Sequence, residues 1–270
     1  MMLLLPVYRP RMSSLVFGLI GWWPFDNLSG RDFSSLNNNL TITAGNSVTF
    51  AGGTAPGIQN LTKGAISLPL NTNVLTNFVA TSKMTGAASL SAATLAAWVY
   101  QFNGLGTSYG HIISTRKTGL LVLGLCQNAS SQKVWIDWDG THFSDNTGIT
   151  ITNNVWTHLV ATFGNSTITV YKNGLKVFSE SATLGTQNED GVWKVGVDAN
   201  NGTCLNCLVD DARVYNRALS AGEILALYSE AFQPLIDIET IALTQAAQGG
   251  GPVIWAPQRR FIRRGPLVAA

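Results

Sequence analysis

The stretch STITVYKNGLKVFSES, residues 166–181, leaves its part of the chain little conformational choice. Apolar and polar residues alternate on either side of Asn173-Gly174. That dipeptide supplies the two positive φ angles of a two-residue turn, so the segment is read as a β-hairpin. The same period of two recurs in TLAAWVYQF, HIISTR, GLLVLGLCQ, KVWIDWDG, VWTHLVATF, GVWKVGVD and CLVDDARVY, with turn residues such as Lys117-Thr118-Gly119 and Asp139-Gly140 between them. In VWTHLVATF, Val155, Leu159, Ala161 and Phe163 fall on one face and Trp156, His158, Val160 and Thr162 on the other. A dozen or so short strands without alternating helices predict an all-β sandwich, because parallel βαβ units would need a helix between successive strands.

One helix is expected, over ALSAGEILALYSEA (218–231). Ser220 can cap it and Glu223, three residues on, can close a capping box, with Ile224, Leu225, Leu227 and Tyr228 supplying apolar contacts. Only 12% of the residues are charged and 46% are hydrophobic, which excludes a disordered chain. No apolar run reaches the ~18–20 residues needed to span a membrane. No secretory signal is read either: the first apolar run is five residues long, and LVFGLIGWW lacks a small-residue cleavage site after it. Six Asn-x-Ser/Thr sequons (Asn27, Asn39, Asn60, Asn128, Asn165, Asn201) are therefore read as turn composition. Cys126, Cys204 and Cys207 cannot all pair within one chain, and the single C-x-x-C lacks a second ligand pair for zinc, so buried free thiols are expected.

Charge is unevenly placed. Arg9 and Arg11 give residues 1–20 a charge of +2, and Arg259, Arg260, Arg263 and Arg264 give residues 240–270 a charge of +4, so the residues between carry −4 of the net +2. Basic ends suit nucleic acid, an anionic membrane, an acidic protein surface or plain solvent, and four arginines do not choose among them. The ends are also rich in proline and glycine and are read as extended arms without a core of their own.

GWWPFD, TLAAWVY, NVWTHLVATF, ITVYKNGLKV and LVDDARVYNRALSAGEILALY follow the order and spacing of a laminin G-like domain, the concanavalin A-like jelly roll in its bacterial and viral branch. The resemblance implies a two-sheet jelly-roll β-sandwich with one short C-terminal helix over residues 18–231, flanked by an N-terminal arm (1–17) and a C-terminal arm (232–270). It also implies that Asp210 helps hold a structural calcium near the loop after the first strand, where Asp26 and Asp32 are candidate oxygen donors. The plainer alternative is that Asp210 hydrogen-bonds that loop's backbone without a metal.

Asp210 and Asp211 are neighbours on a strand and are expected to point to opposite faces, which speaks against a catalytic pair. Asp137 and Asp139 share a strand face with Trp135. Glucanases of this superfamily carry two glutamates about an aspartate on one strand, and both glutamates are missing here, so catalysis is not expected. With Tyr109 and His142, these residues are candidates for sugar binding, since aromatic rings stack on the apolar faces of pyranoses. Trp98 and Trp156 match core positions of the family, and His158 is expected to be structural. The reading is a non-catalytic structural or attachment protein on a phage-like virion, as capsid decoration or tail component. Its arms would dock on other virion proteins, surface glycans would be its ligand, and a symmetric homo-oligomer would suit it; no specific nucleic acid is expected. A free cell-surface adhesin and, behind it, a glycan hydrolase are the alternatives.

Overall fold

A computed structural model of the chain describes residues 12–25, 29–42, 49–51, 64–68, 79–80, 84–102, 110–117, 120–127, 133–138, 142–143, 147–182, 192–196 and 206–230. Its elements, in chain order, are α1 (Met12–Val16), β1 (Leu19–Trp23), β2 (Thr41–Ile42), β3 (Thr49–Ala51), β4 (Ala65–Leu68), β5 (Val79–Ala80), β6 (Ala93–Gln101), β7 (Gly110–Lys117), β8 (Leu120–Gln127), β9 (Val134–Trp138), β10 (His142–Phe143), β11 (Trp156–Gly164), β12 (Thr167–Lys172), β13 (Leu175–Ser181), β14 (Trp193–Val195), β15 (Cys207–Tyr215) and α2 (Ala221–Glu230). The chain divides into two units, residues 1–233 and 234–270, and the second lies outside the described residues.

The strands form two antiparallel sheets. The first runs β13-β12-β11-β6-β15-β4-β3, with β1 also on β15, and the second runs β10-β9-β8-β7-β14-β5-β2. Sequence alternation explains their faces. Leu95, Ala97 and Val99 of β6 and Leu159, Ala161 and Phe163 of β11 enter the core between the sheets, where they meet Ile113, Leu125, Ile136 and Trp138 from the second sheet. Trp138 stacks on Phe163 with ring centroids 5.2 Å apart. The expected hairpin forms between β12 and β13, with positive φ at Asn173 (52°) and Gly174 (79°).

The opposite face of the first sheet is covered by α2. Ile224 and Leu227 are buried against Ala96, Val160, Tyr171 and Tyr215. The capping box closes as read: the Ser220 N–H donates to Glu223 Oε2 (2.9 Å), and the Glu223 N–H to Ser220 Oγ (3.3 Å). Residues 12–16, the inner end of the expected N-terminal arm, make the short helix α1. Arg217 satisfies its last carbonyls by donating to Ser14 O (2.6 Å) and Phe17 O (2.8 Å). Among the described residues no helix is long and apolar enough to cross a membrane. Cys126 and Cys207 are buried, and Cys204 lies outside the described residues.

Candidate functional site

Strand β15 is the hub of the first sheet, and it changes partner midway. Its start pairs with β4 at Cys207–Val209 and its end with β1 at Ala212–Tyr215, while β6 runs along its other edge. Between these halves, three residue steps on β15 (Asp210 to Arg213) match two on β6 (Trp98 to Ala96). One residue is therefore extra, and Asp211 takes a φ of +46°. This is a β-bulge, and it overturns the expectation that the two aspartates face opposite ways. Ala212 enters the inter-sheet core. Asp210 sits opposite Trp98 and Arg213 opposite Ala96, both on the outer face, and the Asp211 carboxylate is turned to that face as well.

Three hydrogen bonds from two neighbours fix that carboxylate. The indole N–H of Trp22 donates to Asp211 Oδ1 at 2.6 Å, and Arg213 forks onto both oxygens, Nε to Oδ1 at 3.0 Å and Nη2 to Oδ2 at 2.9 Å. Trp22 and Arg213 are direct cross-strand partners, which places the guanidinium carbon 4.6 Å from the centre of the Trp22 ring. Phe33 meets Trp22 edge-on at 5.9 Å, and the Arg31 guanidinium lies over Phe33 at 5.5 Å. The order along the surface is Arg31, Phe33, Trp22, Arg213. Arg31 is exposed, Phe33 is 42% exposed, and Trp22 is half-buried.

Asp32 anchors the other side of Trp22. Its Oδ1 accepts the backbone N–H groups of Trp22 (2.9 Å) and Ser34 (2.8 Å), and its Oδ2 accepts Ser34 Oγ–H and the Asn38 N–H, each at 2.6 Å. Asn38 then ties the loop to Ile20 O and to Thr85. As placed, Asp32 does not fit a calcium ligand. Four donors point at its two oxygens, and a cation would meet their positive ends. Asp210 accepts the Asp211 N–H at 2.7 Å, and Asp26 lies outside the described residues. The loop after β1 is thus joined to β15 through Trp22 and Asp211. Among the described residues no three histidine, cysteine, aspartate or glutamate side chains are grouped as a metal site requires.

The residues read as sugar-binding are placed otherwise. All five residues of β9 are buried. Trp135 stacks on His111 with centroids 5.6 Å apart and ring planes 5° apart, and it packs against Cys126 on the side of the sheet away from the core. Asp137 is 2% exposed. The backbone register sets His142 opposite Trp138. Tyr109 and Asp139 lie outside the described residues, as do Arg9, Arg11, Arg259, Arg260, Arg263 and Arg264. Alternation marked one face of β9 as different from the other, but it carries no information about what lies over that face.

His158 is structural in its setting, beneath α2 and beside both Trp98 (5.0 Å) and Tyr228 (6.1 Å). Burial, with the Arg213 charge adding to it, holds its pKa down to about 3, so the ring is neutral at physiological pH. Trp22, Phe33, Arg31 and Arg213 were missed. The available signal was Trp22-Trp23 itself: two tryptophans in succession on a strand cannot both enter one core, so one must face outward. Trp23 is fully buried, opposite Ala212.

Two antiparallel sheets packed face to face, one backed by a short capped helix, define a jelly-roll sandwich of the lectin-like class. The match of residues 71–225 to the family described as the concanavalin A-like lectin/glucanases superfamily covers more than half of the chain, and the chain belongs to that family. No curated protein matches it in sequence. Among solved structures it is similar to domain 4 of AbnA, a GH43 extracellular arabinanase from Geobacillus stearothermophilus, in complex with arabinotriose. That likeness has 20% identity and a TM-score of 0.60, over 78% of this chain and 98% of that one. It is similar too to the binding domain of Paraclostridial Mosquitocidal Protein 1 (19% identity, TM-score 0.58, 80% of this chain and 53% of that one). A third is the botulinum neurotoxin serotype D ligand binding domain in complex with N-acetylneuraminic acid (14% identity, TM-score 0.58, 81% and 52%). The chain spans about half the length of these two toxin domains. At such identities the likeness is one of fold.

Proposed function

We propose that this domain is a non-catalytic glycan-binding module that serves attachment, displayed on the surface of a phage-like particle and docked there through its basic, Pro- and Gly-rich ends. One observation carries the binding part of the reading: an aromatic pair, Trp22 and Phe33, stands at the surface on a frame whose polar atoms are already bonded within the protein. Such a frame has little to contribute to bond cleavage. Asp32 and Asp211 have their oxygens occupied by donors, and His158 is sealed and neutral. Rings held rigidly at a surface are suited to stacking on a sugar, because little conformational freedom is lost on binding. The arabinotriose and N-acetylneuraminic acid complexes of the structural neighbours agree with this reading.

The test is a broad glycan array probed with the purified full chain, with calcium and then with EDTA. Saturable binding is expected in both conditions, and a blank array from folded protein would overturn the reading. Release of reducing ends from a polysaccharide panel would show a hydrolase instead. The display part is tested separately, by deleting residues 240–270 and following incorporation into particles. Loss of incorporation with an intact folded body is expected, and normal incorporation would overturn it.

A further inference from the structure

We infer that the surface at Arg31, Phe33 and Trp22 is a site for an acidic saccharide, a pyranose bearing a carboxylate or sulfate. The inference rests on the glycan-binding reading above and adds the place and the charge of the ligand. It begins with which groups of the cluster are free. Asp211 is bound by Trp22 and Arg213, and Asp32 by Trp22, Ser34 and Asn38. The side chain of Arg213 is 8% exposed and that of Asp211 17%, and Asp32 is 6% exposed. These two acids and Arg213 are therefore largely covered and already bonded.

Arg31 differs from them. It is exposed, its guanidinium lies over Phe33, and it forms no ion pair among the described residues. The cluster thus offers incoming ligands up to five N–H donors beside an exposed ring, while its carboxylate acceptors are occupied. A neutral sugar would present hydroxyls that need acceptors as well as donors. A ligand matched to this surface brings acceptors of its own, and a carboxylate or sulfate on a ring supplies a pair of oxygens that a guanidinium reads in a forked fashion.

The backbone supports a built site at this place. Asp211 is a non-glycine residue in the left-handed region, and such positions persist where the surroundings over-determine them and gather at ligand-contacting places. Here that conformation puts Asp211 on the same face as Trp22, which fixes the indole by its N–H. Trp22 in turn sets the edge against which Phe33 stands.

The experiment is calorimetric titration of the full chain with trigalacturonate, 3′-sialyllactose and a heparin-derived tetrasaccharide, set against arabinotriose and lactose. Arg31→Gln and Phe33→Ala serve as variants, since both residues are exposed and neither supports the core. At least one acidic probe is expected to bind more tightly than the neutral ones. Arg31→Gln should weaken it by about tenfold or more, with Arg31→Lys recovering part of the loss and added salt reproducing it. Neutral probes binding as tightly as acidic ones would overturn the inference, and so would an acidic probe whose affinity is unchanged in both variants. In those cases glycan binding itself survives. If no saccharide binds the folded chain, the inference falls together with the reading on which it rests.

Discussion

The outer face of the first sheet holds two clusters made of similar parts, one built on β1 and β15 and the other on the neighbouring strands β6 and β11. At its rim, Trp22 lies under a guanidinium and beside a phenyl ring, half-buried, with its N–H bonded to Asp211. At its centre, Trp98 packs against both His158 and Tyr228, fully covered, and His158 Nδ1 is buried without a hydrogen-bond partner among the described residues. The rim satisfies its polar atoms and keeps its rings at the surface. The centre buries its rings and leaves a polar atom bare, which is tolerable for an imidazole held neutral. Aromatic composition alone therefore does not mark a binding surface. What separates the clusters is the helix laid over one of them, and whether hydrogen bonds or burial hold the rings in place.

The comparison would break most sharply if the rim proved indifferent to its carboxylates. Asp32→Ala removes the acceptor for three backbone N–H groups and one hydroxyl, in a side chain that is 6% exposed. A loss of about 4 kcal/mol is expected from these stranded donors, read from urea unfolding with the slope unchanged. Asp211→Ala should cost somewhat less, about 3 kcal/mol, because it removes the forked carboxylate from a largely buried Arg213 and the acceptor from the Trp22 indole. Asp211→Gly should recover about 1 kcal/mol of that loss, since glycine accepts the φ of +46° without strain. Equal stabilities for the alanine and glycine variants would show that the bulge carries no strain.

The centre is sharpened by pH. The pKa of His158 falls from 6.5 to about 3 on folding, so below 6.5 the unfolded chain binds a proton that the folded chain refuses. The contribution of the neutral ring is complete above pH 6.5 and is lost as the pH drops from there toward 3. Between pH 7 and pH 5 the chain should lose about 2 kcal/mol from this group. His158→Phe keeps a ring on Trp98, removes the bare nitrogen and should abolish that part of the slope. A variant that loses stability between these pH values as steeply as the parent would place the titration elsewhere.

Much of the architecture was legible because local chemistry and tertiary structure agree. Asn173-Gly174 makes its turn, Ser220 and Glu223 close their box, and the alternation in β6 and β11 assigns the core face. The site was less so. Strand alternation placed Asp210 and Asp211 on opposite faces, and a single extra residue relative to β6 turned both outward. No local signal records that extra residue, because the bulge exists only relative to neighbouring strands. β9 fails for a similar reason. Its two faces were separable by pattern, but its burial on both sides depends on segments distant in sequence. Trp22 was within reach, since a strand cannot bury two successive tryptophans in one core, and the resemblance drew attention to the acids instead.

The smallest expected effect concerns the helix that closes the centre. Arg217 forks onto Glu223 at 2.7 and 3.0 Å while also holding the carbonyls of Ser14 and Phe17, so one side chain joins α1 to the start of α2. The hydrogen bonds from Arg217 hold the Glu223 pKa down to about 2, against an ordinary 4.5, with those from Ser220 adding to the shift. A carboxylate depressed in this way stabilises the fold fully above pH 4.5, and its contribution disappears as the pH falls through about 2. The pair is partly open to solvent, with side chains 21% and 18% exposed, so Glu223→Gln should cost under about 1 kcal/mol at neutral pH. That cost should shrink in salt and vanish near pH 2. Because α2 covers His158, the variant should also speed hydrogen exchange at the His158 amide while leaving the Trp22 amide unchanged. Equal acceleration at both amides would mean that the two clusters open as one unit, and that the helix does not separate them.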